Sequence, residues 1–205
     1  MSVEGIDEVS FGALDLAACQ RFFGDWGLTQ VSASAQTLVY ESLNGCRVIA
    51  SASDTPGLPP GIEPDPTLRE VVWGVQTQAD LDAVREKFKS QPGFVDSGDR
   101  VGCTDPNGLA VRVQVSRKRP VALTAAKTNT WTDRVRINQP APAYDHATPV
   151  EVGHVVFFVK DLAATTAFYE RCLGFVVSDR YPNRGHFMRC APEGGHHDMF
   201  LLETP

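Results

Sequence analysis

Apolar residues fall along this 205-residue chain in a pattern that returns three times. The clearest copy opens Gly153-His154 and runs through five apolar residues, 155–159, to the polar pair Lys160-Asp161. A run this short between polar boundaries reads as a buried strand rather than a helix. The next stretch shifts to helical spacing and closes at Gly174. Asp161 is suited to accept from the first free N–H groups, and Gly174 to a left-handed final residue. Setting Asp15-Leu16-Ala17-Ala18 over Asp161-Leu162-Ala163-Ala164 lays Phe22-Phe23 over Phe168-Tyr169, and Gly27-Leu28 meets Gly174-Phe175 after a one-residue gap. A further copy starts at 69–75 and predicts a helix over 80–88, again opened by an aspartate, Asp80. Short β-branched or apolar runs then predict strands at 37–40, 47–50, 110–115, 186–190 and 199–202, with Asp105-Pro106-Asn107-Gly108 as a tight turn. Each copy reads as strand, helix and about three strands. The fold class is therefore α+β, built from repeated βαβββ modules.

Two modules fill residues 1–116 and a third fills 153–205. Pro120, Pro140, Pro142 and Pro149, in a stretch with few periodic apolar positions, mark 117–152 as an interdomain linker. A single βαβββ unit cannot bury both its sheet face and its edge, so the chain reads as one module short. An apolar face and an open edge on the third module are expected to find a partner, most simply a second copy in a homo-oligomer.

Composition narrows the partners. The formal charge of −6 gives no basic footprint for nucleic acid, and Arg117-Lys118-Arg119 reads as a solvated strand end. The acidic opening Met-Ser-Val-Glu lacks the basic start of a secretory signal, and no apolar run approaches the ~20 residues of a membrane helix. Five scattered cysteines without a Cys-x-x-Cys pair suggest reduced thiols and a cytoplasmic location.

The histidines carry the chemistry. His154 heads the strand at 155–159, and Gly194-Gly195-His196-His197-Asp198 leads into the strand at 199–202. Gly153-His154-Val155-Val156-Phe157, the paired histidines before Asp198 and the module order resemble the vicinal oxygen chelate superfamily of glyoxalases, bleomycin and fosfomycin resistance proteins and extradiol dioxygenases. The two-domain layout is most similar to type I extradiol dioxygenases. The resemblance implies curved mixed sheets, a metal-free N-terminal pair and a catalytic C-terminal pair. It further implies that His154 is a metal ligand and His197 the acid–base residue. The metal would be Fe(II), with Mn(II) as a possible substitute, and the partners a catechol-like small aromatic substrate and dioxygen. The family's second histidine ligand, its glutamate ligand and a substrate-binding tyrosine belong to a fourth module and have no counterpart in these residues.

Glu8 and Glu70 stand at the position of His154 in the first two modules, and Arg112 stands where a metal-binding pair would carry its carboxylate. A guanidinium there opposes a cation, so an ion cluster with Arg112 beside Glu8 or Glu70 is expected. His196 is expected on the opposite side of its strand from His197 by alternation. His146 and His186 lack a motif, and Asp198 reads either as an orienting group or as an exposed turn residue. Two other activities remain open on the same fold: a glyoxalase-like isomerase or lyase that needs no dioxygen, and a non-catalytic, resistance-type protein that binds a small apolar ligand.

Overall fold

The computed structural model describes residues 3–64, 66–123, 143 and 145–204, and most of the expected linker lies outside them. Three modules follow one another. The first is β1 (Val3–Ala13), α1 (Leu16–Asp25), β2 (Thr29–Ala33), β3 (Thr37–Glu41) and β4 (Arg47–Ala52). The second is β5 (Leu68–Val75), α2 (Gln78–Phe88), β6 (Val95–Asp96), β7 (Arg100–Thr104) and β8 (Ala110–Val115). The third is β9 (Val155–Val159), α3 (Leu162–Leu173), β10 (Val176–Tyr181), β11 (Gly185–Arg189) and β12 (Met199–Glu203). The fold is α+β with mixed sheets, as the repeat predicts.

Each module orders its strands alike, with the first strand parallel to the fourth. β1 and β5 then pair antiparallel, joining two modules into one sheet of order β2-β3-β4-β1-β5-β8-β7-β6. The third module makes a separate sheet, β10-β11-β12-β9, in which β9 is an edge. Val155, Phe157 and Val159 of β9 are buried, while Val156 and Phe158 on the other face are 50% and 51% exposed. The expected apolar face and open edge are therefore present among the described residues.

Local signals explain the helix ends. Asp15 and Asp161 accept from Ala18 N and Ala164 N, and Gly174 adopts φ 74°, a conformation any Cβ would strain. The expected Asp80 cap is corrected. Thr77 is the N-cap of α2, its hydroxyl accepting from Asp80 N at 3.1 Å. Asp80 lies within the first turn, where its negative charge suits the helix N-terminus.

The third module is held to the second. Rings of Phe88 on α2 and Phe168 on α3 stack at 6.2 Å, and Trp73 meets Phe175 edge-on at 4.9 Å. Tyr169 donates to Asp105 Oδ2 at 3.1 Å, while Asn107 donates to the Phe158 carbonyl at 2.9 Å. The Asp-Pro-Asn-Gly turn is thus also a docking point.

The described flanks of the linker are bonded to the first module. Arg117 pairs with Glu8 at 2.9 Å, the Lys118 ammonium donates to the Glu4 carbonyl at 3.0 Å, and Arg119 pairs with Glu41 at 3.4 Å. The basic triplet is solvated at Arg117 and Arg119, both exposed, and acidic groups and carbonyls of the first module also lie within side-chain reach. On the far side, Leu43 N and Asn44 N donate to the carbonyls of Pro149 and Val150, each at 3.0 Å.

Candidate functional site

Two strand ends in the third module's sheet bring the histidines together. His154 immediately precedes β9, His197 precedes β12, and these strands are parallel neighbours with Met199 opposite Val155. Val155 N donates to the Asp198 carbonyl at 3.1 Å, extending the pairing to the two histidine segments. The ring centroids of His154 and His197 consequently lie 4.8 Å apart. The rings sit beside an aromatic floor in which Phe187 and Phe200 stack at 4.1 Å, with Phe187 5.0 Å from His197.

His196 does not turn away. It lies ahead of the strand, where alternation does not govern side-chain direction, and its ring also meets Phe187, at 5.2 Å. Its Nδ1 stands 3.0 Å from Nδ1 of His197, and its Nε2 3.5 Å from Asp179 Oδ2. If His196 keeps its Nε2 proton facing Asp179, its Nδ1 accepts the proton of His197 Nδ1. That tautomer assignment follows from the bonding pattern and leaves Nε2 of His197 as a free lone pair. Burial pushes the His197 pKa below the ordinary imidazole value, and the neighbouring His154 and His196 act in the same direction. A neutral imidazole with an open lone pair is a competent proton acceptor near neutral pH.

The remaining candidates have other duties. Asp198 is neither exposed nor directed at an imidazole; its Oδ2 accepts from Cys190 N at 2.8 Å. His186 faces α3, its Nδ1 2.9 Å from the Thr166 hydroxyl, and burial followed by Arg180 lowers its pKa. His146 has no contact with these groups among the described interactions. Sequence reasoning missed His196 and the Phe187–Phe200 floor. The floor is legible only once the β11–β12 register, which sets Phe187 opposite Phe200, is known.

A divalent ion needs more than this cluster provides. Among the described residues no three histidine, cysteine, aspartate or glutamate side chains converge as a metal-holding group. Two imidazoles without an adjacent free carboxylate do not fit a two-histidine, one-carboxylate centre.

The equivalent positions of the first two modules carry charges of both signs. Arg112 Nε lies 3.2 Å from Glu70, while Arg100 reaches Glu8 at 3.1 Å and Glu70 at 3.8 Å. The arginine side chain of Arg112 crosses directly over Gly102, where a Cβ would collide with it. Burial raises the Glu70 pKa, opposed by Arg112 and Arg100. Arg112 therefore occupies the expected place beside Glu70.

Residues 151–205 match the profile of the Glyoxalase/Bleomycin resistance protein/Dioxygenase superfamily. That match covers the third module. Solved structures extend the likeness of fold to the whole chain. The Mn(II)-bound glyoxalase from Novosphingobium aromaticivorans aligns with 100% of this chain and 63% of its own, at 21% identity and a TM-score of 0.70. The 2,3-dioxygenase LapB from Pseudomonas sp. KL28 aligns with 100% and 72%, at 17% identity and 0.69. An E323L mutant of homoprotocatechuate 2,3-dioxygenase from Brevibacterium fuscum aligns with 98% and 54%, at 17% identity and 0.66. The chain thus spans less than two thirds of the glyoxalase it matches. No curated protein matches it.

Proposed function

We propose that this chain is part of an extradiol-type dioxygenase, an oxidoreductase that opens a catechol-like or related small aromatic ring with dioxygen. The observation that carries the reading is the 4.8 Å approach of the His154 and His197 rings at the heads of two paired strands. His154, exposed and without a hydrogen bond among the described residues, is the ligand-type imidazole. His197 is the acid–base group, accepting a substrate hydroxyl proton at Nε2, and His196 with Asp179 positions it. Fe(II) is the metal this reading favours, with Mn(II) as the substitute. Because the described residues lack the carboxylate and a further ligand, the site needs a second βαβββ unit along the open edge of β9. A homo-oligomer would cover that edge in the simplest arrangement, but with a second copy of the same residues, so it would not add the missing carboxylate. Four buried cysteines and one half-buried cysteine, all free, accord with a reducing cytoplasm.

The test is oxygen uptake coupled to ring cleavage over a panel of catechols, with ferrous iron supplied. Turnover that stops on removing dioxygen or metal supports the reading. The glyoxalase fold is equally similar, so an isomerase acting anaerobically on an α-keto substrate is the second reading. Turnover of that kind without oxygen uptake would replace the first.

A further inference from the structure

A cleft of about 590 Å³ opens on the helix side of the first module, away from the Glu8–Arg100 ion cluster. Val9, Phe11 and Val48 from the sheet form its floor, and Phe22, Phe23 and Trp26 of the α1 segment form one wall. The opposite wall is the strap of residues 149–154, fixed by the Pro149 and Val150 bonds to Leu43 N and Asn44 N. The strap is also set at Gly27, where the Ala147 carbonyl lies in the space a Cβ would take. Phe22 and Trp26 stay 58% and 57% exposed, and no residue of α1 is fully buried, whereas α2 buries Leu81, Val84 and Phe88.

We infer that this cleft binds a small, neutral, planar aromatic molecule carrying one O–H or N–H donor. Its volume lies within the roughly 300–1,000 Å³ of small-molecule sites, and an apolar lining with a few convergent polar groups is their usual chemistry. Aromatic walls favour a flat ring system. The polar side chains at the cleft are Ser42, Glu151 and His154. The Ser42 hydroxyl is already donated to Asn44 Oδ1 at 2.9 Å, and Asn44 Nδ2 is donated to Glu151 at 3.2 Å. What remains toward a ligand is acceptor capacity on the Glu151 carboxylate, so a donor is welcomed and a carboxylate or sulfonate is repelled. His154 belongs both to this cleft and to the imidazole pair, which connects the two sites. Binding requires neither metal nor dioxygen, so it stands or falls separately from the dioxygenase reading.

The test titrates 1-naphthol into the metal-free chain with chelator present, by calorimetry, alongside naphthalene-1-sulfonate. The expected result is saturable 1-naphthol binding at about 0.1 mM, within the range open to a ligand of this size. Binding should weaken about tenfold or more in Phe22→Ser and in the cleft-filling Val48→Phe, a loss of about 1.4 kcal/mol. Naphthalene-1-sulfonate should bind more weakly, and Phe158→Ser, on the third module's open face, should leave 1-naphthol binding intact. Phe22→Ser alters a half-exposed position and decides the matter if Val48→Phe fails to fold. Absence of saturable binding overturns the inference. So does binding untouched by Phe22→Ser, or binding lost in Phe158→Ser alone. A dimer that Phe22→Ser dissociates, without 1-naphthol binding, would overturn it by assigning the cleft to a second copy.

Discussion

Arg112 shows how a single side chain changes what a cavity can hold. Its guanidinium lies 3.2 Å from Glu70 inside the paired N-terminal modules, where the third module instead carries His154 at the position equivalent to Glu70. Removing the cation while leaving the buried carboxylate should cost more than the pair contributes. Arg112→Ala is expected to lower unfolding stability by roughly 2–4 kcal/mol, with Glu70→Gln in the same chain restoring part of it. Denaturant melts of the single and double variants measure this directly. Equal stability of Arg112→Ala and the parent chain would remove the ion cluster from the account. These residues were legible because three modules could be overlaid, which made Glu8, Glu70 and His154 equivalent. His196 was not legible. It lies ahead of β12, which begins at Met199 as expected, so strand alternation does not set its direction.

At the scale of elements, the docking of α3 on the turn between β7 and β8 depends on a buried hydroxyl. Tyr169 is fully buried and gives its proton to Asp105, whose other oxygen accepts from Asn107 N and Leu109 N, both at 2.9 Å. Burial raises the pKa of both groups, and Asp105 further raises that of Tyr169. Tyr169→Phe removes one hydrogen bond to a charged acceptor and is expected to cost about 1.5–3 kcal/mol. Asp105→Ala should cost more, because it also leaves two turn amides without their acceptor. Thermal melts of the two variants rank them. A neutral Tyr169→Phe would mean that ring packing alone holds the modules. Helix starts and the Asp-Pro-Asn-Gly turn could be read from residue type, since caps and turns are local. The short β6 and the exposed β2 offered no such signal: β6 spans two exposed residues, and every residue of β2 is exposed, so burial leaves no pattern there.

For the whole molecule, one module order is used three times with different outcomes. The first two close on each other through β1 and β5, whereas β9 keeps an open edge among the described residues. The same overlay that revealed the repeat also revealed this imbalance. Sequence could not show that the strap would pack on the first module and wall a cleft, because that depends on contacts between Asn44 and Glu151 far apart in the chain. The central claim is that His154 and His197 belong to one site with different duties. Its most direct test compares His154→Gln and His197→Phe in the protein at the length its gene encodes, measuring bound iron and oxygen-consuming ring cleavage together. The expected result is loss of iron and turnover in His154→Gln. His197→Phe should retain iron while turnover falls by about 10²–10⁴, the range for losing a general acid–base group. Iron and turnover at parental levels in His154→Gln would contradict the account.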